Sequence, residues 1–382
     1  MKIEKTNNPF LIAGYGGPEY FCDREKETEK IISALINDRN ISLISPRRFG
    51  KTGLIHHVFY HLEDEKKDVF CFYFDIFSTQ NLHEFVQIFG KTVLGKLDNY
   101  SQKTFKRISG FFKSFRPAIS LDSLTGTPEI SFDIKPEEAQ NGLQEIFNYL
   151  ENSGKRCYIA IDEFQQIIEY PEKGIEALLR SYMQFSGNVK FIFSGSKKHL
   201  MDAMFSAVNR PFYQSTQKVN LREIHIEEYG VFAQNHFAKA GKTLPVSLFE
   251  TIYNLVLGHT WYIQTILNQL YALPQKKYSE TDLDRIISDV LEEESATYKT
   301  YCELLTKGQL RALTAIAKER KIEALASSDF MKKYNLTAAS SVKLALKSLI
   351  DKSLILKDEN GYYFVYDRFF SLWLERMAVI SK

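Results

Sequence analysis

One segment constrains this chain more than any other. Ile41, Ser42, Leu43 and Ile44 form a mostly apolar run, and a tight turn follows through Ser45, Pro46, Arg47, Arg48 and Phe49. Gly50, Lys51, Thr52 and Gly53 come next, and helix-like spacing continues to Leu62. A strand, a loop and a helix N-terminus in that order make a phosphate-binding P-loop. Backbone N–H groups of the loop and the first helical turn point at a phosphate, helped by the positive end of the helix dipole. Lys51 is placed to reach the β- and γ-phosphates, and the Thr52 hydroxyl to complete a Mg²⁺ shell. Gly50 leaves room where a Cβ would meet phosphate oxygens. The chain departs from the pattern once: Ser45 stands where a glycine is usual, and a small residue can still turn there.

A second motif strengthens the first. Cys157, Tyr158, Ile159, Ala160 and Ile161 run into two adjacent acids, Asp162 and Glu163. A continuous apolar run fits a strand buried on both faces of a parallel sheet. Acids at its C-terminal end emerge at the edge where α/β folds bind ligands. In P-loop enzymes the acid ending this strand holds Mg²⁺, which assigns Asp162 to the metal together with Thr52. Glu163 is then the candidate base that polarises the water attacking the γ-phosphate.

Further apolar runs complete an α/β parallel sheet with flanking helices. Residues 68–74 precede Asp75, residues 189–193 precede Ser194, Gly195 and Ser196, and residues 219–221 are short enough for a last strand. A polar residue at the tip of the 189–193 strand lies between Glu163 and the γ-phosphate, which nominates Ser194 or Ser196. No Asn/Thr-Lys-x-Asp guanine motif is present, so ATP/ADP is the expected nucleotide.

These motifs, in this order, resemble those of AAA+ ATPases. The resembling segments are Asn8-Pro9-Phe10, then Phe21 to Glu25, Pro46 to Thr52, Ile161 to Gln165 and Phe193 to Ser196. More narrowly, the chain resembles the archaeal-type ATPase family, close to the STAND NTPases. That likeness extends through Arg210 to Tyr213, Gly258 to Gln264 and Asp367 to Leu374, nearly the whole chain. The resemblance implies an ATPase core, a small helical lid and a C-terminal winged helix-turn-helix domain. It implies that Phe21 and Arg24 lie near the adenine and ribose, and that Gly258 and its neighbours close the lid. Thr260 stands where family members often have proline. Arg210 becomes the candidate arginine finger or sensor, supplied in cis or by a neighbouring subunit. Arg47 and Arg48 supply further positive charge or grip a partner.

The rest of the chain sets the frame. At 382 residues it can hold two or three domains, each with its own core. No run approaches the ~20 apolar residues of a membrane span, and the N-terminus is polar, without an apolar signal region. Cys22, Cys71, Cys157 and Cys302 are scattered without metal-ligand spacing and read as thiols in a reducing, cytoplasmic setting. His56 and His57 read as surface or core residues of the loop's helix. Alternation around a turn at residues 123–126 suggests a β-hairpin near 116–134 inserted in a core spanning 1–226. From residue 227 the text is helical, with breaks near Gly241, Gly258 and Pro274, so 227–303 read as lid and connector.

Residues 304–382 read as three helices and a hairpin, a winged helix-turn-helix. Leu310, Leu313, Ile316 and Ala317 face inward on the first helix, and Val342, Leu346, Leu349 and Ile350 on the third. This stretch holds 14 Lys/Arg against 8 Asp/Glu, a net of +6, which leaves −4 for residues 1–303. A basic end on an otherwise acidic chain suggests an anionic partner. Ser340, Lys343 and Lys347 face outward on the third helix, where a recognition helix would meet duplex DNA. Two lysines and a serine carry little base specificity, so a protein partner fits equally well. Homo-oligomer formation is compatible with the resemblance.

Overall fold

The computed structural model describes residues 7–65, 68–97, 112–121, 128–325, 327–336, 338–358 and 360–380. It divides into two compact units: Ala13–Ile224 in one, Asn8–Ile12 and His225 onward in the other.

The first unit is built on a five-stranded sheet. Its strands are β1 (Asn40–Ile44), β2 (Val69–Asp75), β5 (Arg156–Asp162), β6 (Val189–Gly195) and β7 (Thr216–Asn220), ordered β2-β5-β6-β1-β7. Every pairing in it is parallel. The continuous apolar runs follow from burial on both faces, and alternation sorts their residues between two cores. Cys157, Ile159 and Ile161 of β5 face one core with Phe191 and Phe193 of β6. Tyr158, Ala160 and Ile192 face the other. On that second face lie α1 (Glu25–Ile36) and α2 (Lys51–Glu65), through Ile31, Leu35, Leu54, Ile55 and Val58. The first face is covered by α3 (Leu82–Leu97), α4 (Ala139–Asn152), α5 (Ile175–Phe185) and α6 (Lys198–Ser206).

Between α3 and α4, β3 (Phe115–Leu121) pairs antiparallel with β4 (Pro128–Ile134), with Phe115 opposite Ile134. The expected turn at 123–126 lies outside the described residues.

The second unit is helical. It begins with α7 (Ile226–Lys239), α8 (Val246–Leu255), α9 (Thr260–Ala272), α10 (Glu280–Glu293) and α11 (Ser295–Glu303). Phe10 belongs to this unit rather than to the sheet. It is fully buried among Phe232, His236, Phe237 and Tyr271, and Asn8 and Asn268 each donate to the other segment's backbone. The segment that the resemblance grouped with the nucleotide motifs is therefore a hydrophobic anchor for the helices.

A capping box between Thr306 and Gln309 opens α12 (Lys307–Glu319). Then follow α13 (Ser328–Lys333), α14 (Ala339–Asp351), the antiparallel pair β8 (Ile355–Lys357) and β9 (Tyr363–Val365), and α15 (Arg368–Ile380). Leu313, Ile316, Ala317, Val342, Leu346 and Leu349 are buried as their spacing requires, and Leu310 is half-buried. Ile350 corrects the expectation: it is 40% exposed, and Leu344 is 70% exposed on the same helix. Position 350 lies about 100° round the helix from Leu349 and about 40° from Leu346, at the edge of the buried stripe. Aromatic contacts join α9 to this region: Tyr262 meets Phe369 edge-on at 4.9 Å, and His259 meets Phe364 at 5.9 Å.

Candidate nucleotide site

Three strand ends and one helix start build the site. β1 delivers the loop Ser45–Thr52 into α2, β5 ends at Asp162, and β6, which lies between them, ends at Gly195. Ser45 has no positive φ, so glycine is not needed there; the left-handed turns fall at Arg48 (φ 69°) and Gly50 (φ 89°). A Cβ at Gly50 would meet nothing within 4 Å, leaving open space in front of the loop. Pro46 is half-buried, Phe49 is buried beneath the loop and Gly53 sits in the first turn of α2.

Lys51 is buried, and its Nζ donates to the carbonyls of Ser45 (3.0 Å) and Pro46 (3.1 Å). Burial pulls its ammonium below the ordinary lysine value, and the negative charges of Asp162 and Glu163 oppose that pull. Thr52 Oγ1 donates to Asp162 Oδ2 at 3.0 Å, across 110 residues of sequence. Tyr73 OH donates to the same oxygen at 2.9 Å. Asp162 Oδ1 accepts from the Glu163 backbone N–H at 3.0 Å.

Glu163 sits in the left-handed region (φ 53°), a conformation that costs on the order of 1–3 kcal/mol and persists where surrounding structure enforces it. Its Oε2 accepts from Gln165 Nε2 at 2.5 Å and from Ser196 Oγ at 2.6 Å. β6 separates its two serines. Ser194 is fully buried, its hydroxyl without a hydrogen-bond partner among the described residues, in register with Leu43. Ser196, two residues on, is the one beside Glu163. Asp75 ends β2 in register with Asp162, and its carboxyl is raised by burial and then by the charges of Asp162 and Glu163.

Other expected residues are engaged elsewhere. The Arg210 guanidinium lies 2.7 Å from Glu176 on α5. Arg24, left-handed at the start of α1, is buried and donates to the Arg222 carbonyl (2.5 Å) and to Glu27 (3.2 Å), tying α1 to the segment after β7. Arg47 lies over the Phe77 ring at 4.7 Å. Phe21 does approach the loop's helix: its ring stacks on His57 at 4.2 Å and lies 3.4 Å from where a Gly53 Cβ would sit. Gly258 takes φ 73° between α8 and α9 in the helical unit.

Two contacts of the candidate site escaped sequence reading. Tyr73 is one aromatic in a strand of aromatics, and Gln165 closes the segment Ile161 to Gln165 with no role attached to it; only the fold shows that both reach the acids.

The residues fit a nucleotide with a hard cation. A hydroxyl and a carboxylate side by side are the oxygen ligands such a cation takes, and the lysine and loop amides supply the positive wall. A family model described as an ATPase domain predominantly from Archaea matches residues 21–266. The chain belongs to this family. A model described as a probable winged helix domain matches residues 296–376, so the archaeal-type ATPase domain is followed by a winged helix.

Among curated proteins, an uncharacterized ATP-binding protein of Methanocaldococcus jannaschii is 25% identical over 300 residues, covering 75% of this chain and 77% of that one. Among solved structures, the Walker-type ATPase of Pyrococcus abyssi matches with a TM-score of 0.66 at 17% identity, over 96% of this chain and 99% of that one. The Aeropyrum pernix ORC2 protein, in ADPNP–ADP complexes, matches at 0.56 and 16% identity over 99% of each chain. At these identities the structural likenesses bear on fold, and the fold is that of Walker-type ATPases.

Proposed function

We propose that this archaeal-type ATPase binds Mg-ATP, hydrolyses it, and uses the cycle as a conformational switch acting on its winged helix. The observation that carries the reading is the 3.0 Å contact between Thr52 and Asp162, which joins the two motifs at one point beside Lys51 and Glu163. Lys51 would leave the loop carbonyls for the β- and γ-phosphates, and the loop amides would hold the β-phosphate. Thr52 and Asp162 would hold Mg²⁺, which supplies charge neutralisation to the phosphate oxygens. Glu163 would orient the attacking water and take its proton.

The switch reading draws support from the helical unit. Gly258 and His259 precede α9, His259 packs on Phe364 of β9, and Tyr262 packs on Phe369 of α15. A displacement at Gly258 would thus reach the winged helix through direct packing. ORC2 was solved with ADPNP and ADP, which supports an adenine nucleotide. A DNA or protein partner at the winged helix and a homo-oligomer supplying Arg210 in trans belong to the same proposal.

The test is Glu163→Gln: ATP binding is retained while turnover falls by about 10²-fold or more. Normal phosphate release from that variant would remove Glu163 as the base. One observation favours a second reading, a nucleotide-binding regulator with little turnover. Lys51 is bound to its own loop and Arg210 to Glu176, so neither cation points to a reacting phosphate without rearrangement. Steady-state phosphate release, with and without duplex DNA, separates the two.

A further inference from the structure

We propose that Gln165 is the positioning residue for Glu163, and that Gly195 is required because the Gln165 amide occupies the space a side chain would take. The inference rests on the hydrolysis reading above and names a part of that site to which the motifs attach no role.

Glu163 and Gln165 flank Phe164, which is fully buried at the start of the 3-10 turn Phe164–Glu169. Phe164 packs on Phe193 of β6 at 4.5 Å, so the turn is pinned to the strand that carries Gly195 at its end. Gln165 is only 2% exposed. An ionised carboxylate can only accept, so the amide must turn its NH₂ toward Glu163 Oε2, and the 2.5 Å contact is a charge-assisted hydrogen bond. The Ser196 hydroxyl donates to that same oxygen. Two donors on Oε2 fix the carboxylate's rotation and leave Oε1 as the oxygen available to a water.

Turning the NH₂ toward Glu163 sends Gln165 Oε1 the other way. That atom is buried and has no hydrogen-bond partner among the described residues. Leaving a buried carbonyl unsatisfied is costly, so the orientation is held by the carboxylate contact and by packing rather than by a bond of its own. The packing neighbour is Gly195. A Cβ there would lie 2.3 Å from Gln165 Oε1 and 2.5 Å from Met201 Sδ, distances that real atoms do not tolerate. Gly195 has no positive φ, so its glycine is explained by this space and not by backbone conformation.

The experiment is single-turnover ATP hydrolysis, with nucleotide affinity measured in parallel, on the full chain. Four proteins are compared with wild type: Gln165→Leu, Gly195→Ala, Glu163→Gln, and the double variant Glu163→Gln with Gln165→Leu. The expected result is a rate roughly 10- to 100-fold lower for Gln165→Leu, with ATP affinity within about 2-fold of wild type. Gly195→Ala lowers the rate likewise by displacing the amide, which keeps the proposal testable should the leucine variant fold poorly. In the Glu163→Gln background, loss of Gln165 brings no further decrease, because Gln165 acts through Glu163. Wild-type turnover in folded Gln165→Leu, or a further decrease in the double variant, overturns the proposal while leaving Glu163 as the base. Normal turnover by Glu163→Gln removes Glu163 as the base, and this inference with it, whereas absence of turnover in the wild-type protein overturns the hydrolysis reading itself.

Discussion

Individual side chains in this site are decided by partners far away in sequence. Arg24 was expected at a ribose because of its place in a motif; its guanidinium is instead a buried brace between Glu27 and the Arg222 carbonyl. Arg24→Met should therefore lower thermal stability by about 1.5–3 kcal/mol, the range for hydrogen bonds from a charged group, while ATP affinity in the folded variant stays near wild type. A selective loss of nucleotide affinity would restore the ribose role. His57 gives a second prediction at this scale. Burial, and then neighbouring His61, hold it down at about 4, against an ordinary value of 6.5. Between those two pH values the unfolded chain binds more protons than the folded one, so stability falls as pH drops from 6.5 toward 4. His57→Gln should flatten that fall in a series of thermal melts by a few degrees; an unchanged slope would mean that His57 titrates normally in the fold. Lys51, Thr52, Asp162 and Glu163 were legible because strand–loop–helix and strand–acid patterns are local. Tyr73, Gln165 and the Arg210–Glu176 pair were not, because each depends on which strand lies beside which.

At the scale of elements, period carried most of the reading and strand ends limited it. Apolar runs at 157–161 and 189–193 became central strands because both faces are covered, and their alternate residues divide between two cores. The end of β6 was harder. It runs to Gly195, two residues beyond the apolar run, and this leaves Ser194 inside and Ser196 beside Glu163. On α14 the stripe Val342, Leu346 and Leu349 was legible, whereas Leu344 and Ile350 are exposed apolar residues near the exposed Lys343 and Lys347. That mixture decides how α14 is tested. Should this helix contact duplex DNA, replacing Lys343 and Lys347 by Gln should reduce the slope of log affinity against log salt by about 2. An unchanged slope would assign DNA contacts elsewhere and leave the exposed leucine face for a protein.

For the molecule as a whole, the division into a sheet unit and a helical unit follows from where the periodicity changes near residue 225. Residues 8–12 were not legible in that division, since only the fold shows Phe10 buried among the helices. Charge divides elsewhere, inside the second unit, with the basic excess confined to the last 79 residues. No described helix is long and apolar enough to cross a membrane. Everything proposed for the winged helix presupposes that the sheet unit holds a nucleotide, through Lys51 and the Thr52–Asp162 pair. The most direct measurement is equilibrium binding of ATP to the purified chain, in magnesium and after chelation, alongside Lys51→Ala. The prediction is saturable binding in magnesium that weakens by about 10-fold or more on chelation and is lost in Lys51→Ala. Failure of the wild-type protein to retain ATP in magnesium, or undiminished binding by Lys51→Ala, would contradict it.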